Sequence, residues 1–331
     1  MPRYGYRELE PSREAKEVFQ RWLNFLDREI TKHKKPGLRE ELVQDNLHQI
    51  FLGTPKGGGL NFQLETELAF NVVELNLQCR NVTLEPEYYG EVDQEKYAMI
   101  KPLIFFWQMF DRSTLGVNQW LGFRFRAMLG KHIFKSIGKN VKIFHNVEFS
   151  FGYNLTIEDD VVIHRNVMLD DRGELIIRKG SSISDYAAVY SHAHDPVDGS
   201  IVENRTTEIG PGARLTYHAA VMAGVKVGED ATVGAMSVAT HPVEDHSIVG
   251  GVPAKEIKKK DQARRFEESE NGGGPEGEGR GERREQGQDE NRPKAHGNVG
   301  GDLGGNAGGR NVGAGNVGAG SQGSRQEGDR G

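Results

Sequence analysis

The segment Tyr190-Ser-His-Ala-His-Asp-Pro196 sets two imidazoles two residues apart, with a carboxylate beside the second. In an extended chain, residues i and i+2 face the same side, so His192 and His194 would share one surface. Imidazole titrates near neutrality, and it can take a proton from a hydroxyl and return it to a leaving group. Asp195 is a candidate to orient the ring of His194. Upstream lies a second acidic group, Asp170-Asp171, followed by Arg172.

A repeat must position these residues. An aliphatic or aromatic residue returns every sixth position at Ile137, Ile143, Phe149 and Leu155, then, after two-residue slips, at Ile157, Ile163, Leu169 and Leu175 and at Ile177, Ile183 and Val189. The beat breaks at Asp195 and resumes at Ile209, Leu215, Val221, Val227 and Val233. A period of six fits neither a helix nor a long alternating strand, and it predicts very short strands joined by regular corners. Ile137, Ile157 and Ile177 stack at a shift of about 20 residues, which gives three faces per coil: a triangular prism of about five coils with parallel pairing. The same register puts Asp170 and Asp171 under Tyr190 and Ser191, and it makes the segment Pro196 to Thr206 project from the prism beside the histidines, with Glu203 and Arg205 upon it.

Before the repeat, residues 1–135 read as a helical N-terminal region. Two amphipathic helices are predicted between about Ser12 and Leu52, broken at Pro36-Gly37, and a third falls within Phe62 to Leu77 after the glycine run 57–59. Ile100 to Phe134 is the most apolar stretch; charges at Asp111 and Arg112 keep it far short of a membrane span. It is expected to pack on the first coil and cover its open edge, with peripheral membrane contact through 103–134 as the lesser alternative. Residues 261–331 are charged and then Gly-, Asn- and Ala-rich, and they read as a disordered tail. A net charge of -6 argues against general nucleic-acid binding, and a lone Cys79 excludes an internal disulfide. No signal peptide is read in Met1 to Glu10, so the cytoplasm is the expected compartment.

The repeat, the histidine segment and the ending Val249-Gly-Gly-Val-Pro-Ala-Lys255 together resemble the hexapeptide-repeat O-acyltransferases, the group of the maltose, galactoside and serine acetyltransferases. The resemblance covers about residues 136–260 and implies a left-handed parallel β-helix. It also implies acyl transfer from acetyl-CoA or another acyl-CoA as co-substrate, and a homotrimer with sites between neighbouring prisms. His194 matches the family's general base. Asp170, Asp171, His192 and Asp195 are the candidate acceptor-binding residues; where Asp170 and Asp171 stand, the family often has asparagine, and at His192 a small residue is usual. The implied donor groove would be lined by Ala223, Gly224, Gly234, Ala235 and Ser237, with Lys255 meeting phosphates and His241, in Thr240-His-Pro242, standing where relatives carry lysine. The acceptor expected is a sugar or glycan precursor, and no metal is expected.

Two rival readings remain at this point. A metal enzyme resembling γ-class carbonic anhydrases would draw imidazoles from His192, His194 and His218. A non-catalytic β-helix scaffold would need none of them.

Overall fold

The computed structural model describes residues 10–54 and 68–260, and for Leu68 only its backbone. The glycine run at 57–59 and the tail expected to be disordered at 261–331 lie outside the described residues.

Six-residue spacing does what it predicts. Each beat puts one aliphatic side chain on the prism axis, and Ile157, Ile163, Leu169, Leu175, Ile177, Ile183 and Val189 are at most 1% exposed. Strands of two or three residues pair in parallel with the coil below, as in Ile137 with Ile157 and Ile157 with Ile177. Two faces carry five stacked strands each, and the third also carries the C-terminal strands Ser247–Gly250 and Lys255–Lys259. Five coils are complete, in keeping with the about five expected, and Val243 with Ser247–Gly250 begins a sixth.

The corners differ. Between the first and second faces, and between the second and third, one residue per corner adopts positive φ. In the early coils these positions hold Asn140, Asn146, Asp160 and Asn166, residues whose short polar side chains tolerate that region. The remaining corner, from the third face to the first, is irregular. Phe149 to Ile157 and Leu169 to Ile177 each span eight residues there, whereas Val221 to Val227 span six. In the third coil the same corner opens into an antiparallel hairpin, His192–His194 with Val202–Asn204.

The leader is helical: α1 (Arg13–Lys32), α2 (Pro36–Leu52), α3 (Leu68–Asn76), α4 (Gln94–Arg112) and α5 (Gln119–Ile133). Side chains of Ser12, Asp93 and Asn118 cap α1, α4 and α5 by accepting from the first-turn amides. Leu103, Ile104, Phe105, Phe106, Trp107, Phe110, Phe125 and Leu129 are buried, so the residues a surface-lying helix would offer to lipid face the core instead. Among the described residues no helix is long and apolar enough to cross a membrane. Trp107 donates its indole N–H to the Val147 carbonyl (3.1 Å) and packs edge-on to Phe134 and Phe149, closing the first coil.

Arg126, 1% exposed, fastens helix to prism. Its guanidinium donates to the Asp111 carboxylate, to the Gly116 carbonyl (2.8 Å) and to the Ile143 carbonyl of the first coil (3.0 Å). Asp111 in turn accepts from the Asn146 amide (2.9 Å). Removing one member of such a pair leaves an uncompensated buried charge. Arg126→Ala is expected to cost about 3 to 5 kcal/mol in denaturant unfolding, and a loss below about 1 kcal/mol would show that the prism end holds without it.

Candidate active site

The irregular corner gathers the chemistry. Leu169 lies under Val189, as the repeat predicted, so Asp170 sits directly beneath Tyr190 and Ser191. Asp170 is 1% exposed, and its carboxylate accepts from five donors: Ser150 Oγ (3.1 Å), the amides of Arg172 (3.3 Å), Ser191 (3.1 Å) and His192 (3.3 Å), and His192 Nδ1 (2.5 Å). A carboxylate already accepting backbone N–H groups takes the imidazole as a donor too, so Nδ1 of His192 carries the proton. In the neutral ring Nε2 then keeps a lone pair.

His194 reaches the same state by another route. Its Nδ1 lies 2.7 Å from the Gly199 carbonyl across the hairpin, and a carbonyl can only accept. The proton is therefore on Nδ1 and the lone pair on Nε2. His194 is exposed, and its ring stands 5.3 Å from that of His192 at 81° between planes. Among the described residues neither Nε2 has a hydrogen-bond partner.

Asp195 does not orient His194. Its carboxylate accepts from the amides of Val197 (2.8 Å) and Asp198 (2.9 Å), forming the turn of the hairpin, and those two bonds hold its pKa down. The group that holds the His194 ring is a carbonyl across the hairpin, not the candidate carboxylate beside it. Asp171 does not face an acceptor either: it is 0% exposed and accepts from the amides of Phe151 (2.7 Å) and Asn154 (3.2 Å), so it shapes the corner of the coil below. Glu203 and Arg205 pair with each other on the hairpin.

Other supports were not legible beforehand. Thr207 Oγ1 donates to the Tyr190 carbonyl (2.7 Å) and accepts from the Gly224 amide (2.9 Å), tying three coils at this corner. A Cβ on Gly173 would fall 2.5 Å from the Arg205 carbonyl oxygen and 2.7 Å from that of Ser191, so only glycine lets the hairpin cross so low. The leader also reaches the corner. Arg172 pairs with Glu91 and lies over the Tyr89 ring at 3.9 Å.

The residues expected to hold the donor fall into two groups. Ala223, Gly224 and His241 lie on the irregular corner above the histidines. Gly234, Ala235 and Ser237 lie on the opposite corner, between the second and third faces. Ser237 is buried there and accepts from the Gly251 amide (2.9 Å), while Lys255 is exposed at the start of the last strand. His218 is also on that far corner, stacked on Tyr186 at 4.9 Å, apart from His192 and His194. Among the described residues no group of three His, Cys, Asp or Glu is placed to hold a metal ion.

Burial raises the Asp171 carboxyl from 3.8 to about 6, against the amides that favour its charged form. A folded-state pKa above the unfolded one means a stabilising contribution fully present below about pH 4 and lost as pH rises through about 6. Melting wild type and Asp171→Asn across that window should give a difference, wild type minus variant, that falls with rising pH. A flat difference would mean that the carboxylate is charged throughout.

No protein-family model matches the chain. It is similar to WcaF of Escherichia coli strain K12, a protein assigned as a colanic acid biosynthesis acetyltransferase, at 30% identity over 139 residues, which is 42% of this chain and 76% of that protein. A protein assigned as an acetyltransferase in Staphylococcus aureus strain COL is 28% identical over 141 residues, covering 41% of this chain and 70% of the relative. Among solved structures, a maltose O-acetyltransferase from Clostridium difficile 630 overlays with a TM-score of 0.46 at 18% identity, over 53% of this chain and 92% of the other. With its stacked six-residue coils and more than two thirds of the Escherichia coli protein spanned, the chain belongs to the hexapeptide-repeat acetyltransferases.

Proposed function

We propose that this chain transfers an acyl group, ordinarily acetyl, from a coenzyme A thioester to a hydroxyl of a sugar or glycan precursor, with His194 as general base. The observation that carries the reading is the Nδ1 contact of His194 to the Gly199 carbonyl, which leaves Nε2 as a proton acceptor at an exposed lip. Family membership supplies the reaction class, and the relative named for colanic acid biosynthesis supports a glycan-precursor acceptor.

The steps balance simply. Nε2 of His194 takes the hydroxyl proton as the oxygen attacks the thioester carbonyl. The tetrahedral oxyanion collapses with cleavage of the carbon–sulfur bond, and the imidazolium returns its proton to the departing thiolate. Ala223 is the candidate oxyanion donor, because its N–H has no partner among the described residues while the Gly224 amide is already bound to Thr207. His241 and Lys255, both exposed, would meet the phosphates.

The donor set supports a site built between copies. Ala223 with His241, and Gly234 with Ala235, occupy different corners of one prism, and an intersubunit groove would bring one corner of each copy together. The reading is therefore a homotrimer, working in the cytoplasm where its thioester donor is available. Sedimentation should return three times the chain mass of 36.8 kDa.

Incubation with acetyl-CoA and a panel of sugars, nucleotide sugars and lipid-linked glycans, read by thiol release and product mass, tests the activity. His194→Ala should lose about 10² to 10⁴ in kcat while coenzyme A binding persists. Equal turnover by the variant would remove His194 from the chemistry and favour a scaffold.

A further inference from the structure

Resting on the acyl-transfer reading, we propose that His192 is a second acceptor-binding imidazole whose presence makes the site select an acceptor with two neighbouring hydroxyls. Both rings have Nδ1 fixed as the donor, one by the Asp170 carboxylate and one by the Gly199 carbonyl. Both therefore offer a bare Nε2, and the rings are 5.3 Å apart. Two proton acceptors on rings whose centroids lie this close can meet two O–H donors on adjoining carbons. His194 takes the proton of the hydroxyl that reacts, and His192 accepts a hydrogen bond from its neighbour.

The charge pattern sharpens the selection. Two nitrogen lone pairs, with the Asp170 carboxylate behind one of them, disfavour a carboxylate or carbonyl beside the reacting hydroxyl. A hydroxy acid is thus a poor acceptor and a vicinal diol a good one. The hold on His192 is rigid because Asp170 is buried and bonded to the amides of Ser191 and His192 as well as to the ring. Side-chain exposure of 18% on His192 leaves its free edge open to a ligand.

The test has two arms on the full chain. Long-range proton–nitrogen NMR of histidine-labelled protein, assigned with His192→Phe and His194→Ala, should report the Nδ1–H tautomer for the neutral ring at both positions. An Nε2-protonated His192 would overturn the proposal whether or not the enzyme transfers acyl groups. In the second arm, trans-cyclohexane-1,2-diol and cyclohexanol are compared in acetyl transfer, and by ligand-observed NMR binding with coenzyme A present. Wild type should prefer the diol about tenfold, chiefly in KM. That preference should vanish in His192→Phe and return in part in His192→Gln, whose amide oxygen can accept. Equal binding of the two alcohols to wild type would overturn the proposal. A collapse of kcat in His192→Phe would do so too, by making His192 the base. Diol-selective binding that is lost in His192→Phe, with no transfer to any acceptor of the panel, would uphold the role of His192 in binding a diol and refute the acyl-transfer reading alone.

Discussion

One buried carboxylate fixes the geometry on which the site depends. Asp170, on the second coil, ties it to the first by accepting from Ser150 and to the third by accepting from Ser191 and His192, while also accepting from Arg172, and it is almost wholly buried. Such a group is costly to bury unless its oxygens are fully bonded, and here each has at least two donors. The consequence is directional. The hairpin carrying both histidines leaves the prism at the residues whose amides Asp170 holds.

The regular part of the prism and its irregular corner divide the labour. Two corners repeat with one positive-φ residue each and build a rod of stacked aliphatic side chains. The third corner carries extra residues in the first three coils, and these supply Ser150, Asp170, Asp171, Ser191 and the hairpin. A rigid scaffold with one permissive edge is a common way to hold reactive groups on a short excursion. The leader contributes at both ends of this arrangement, through Arg126 at the first coil and Glu91 at the corner.

The stack was legible because it is a local, periodic signal: an aliphatic beat every sixth residue needs no knowledge of distant contacts to be read. The place of Asp170 beneath Tyr190 followed from the same beat. What could not be read was which group each polar side chain would meet. Asp195 was the nearest carboxylate to His194 in sequence, yet the ring bonds the Gly199 carbonyl because the hairpin folds back over it. Asp170 and Asp171 look alike as letters. Their alternation along the chain sends one toward the histidines and the other into the corner below. The partial sixth coil escaped the beat because Val243 follows a short turn at His241-Pro242 and Ser247 breaks the aliphatic pattern. Glu91 gave no signal, since an ion pair over 81 residues leaves no mark on local sequence.

The proposed mechanism puts catalysis at this corner, on the open nitrogen of His194, with the donor delivered from a neighbouring copy. A crystal structure of the protein with coenzyme A and an acceptor bound tests it most directly. The account predicts the acceptor hydroxyl in hydrogen-bond contact with Nε2 of His194, and the thiol arriving between two prisms. A thiol seated on a different corner, with His194 facing only solvent, would contradict it.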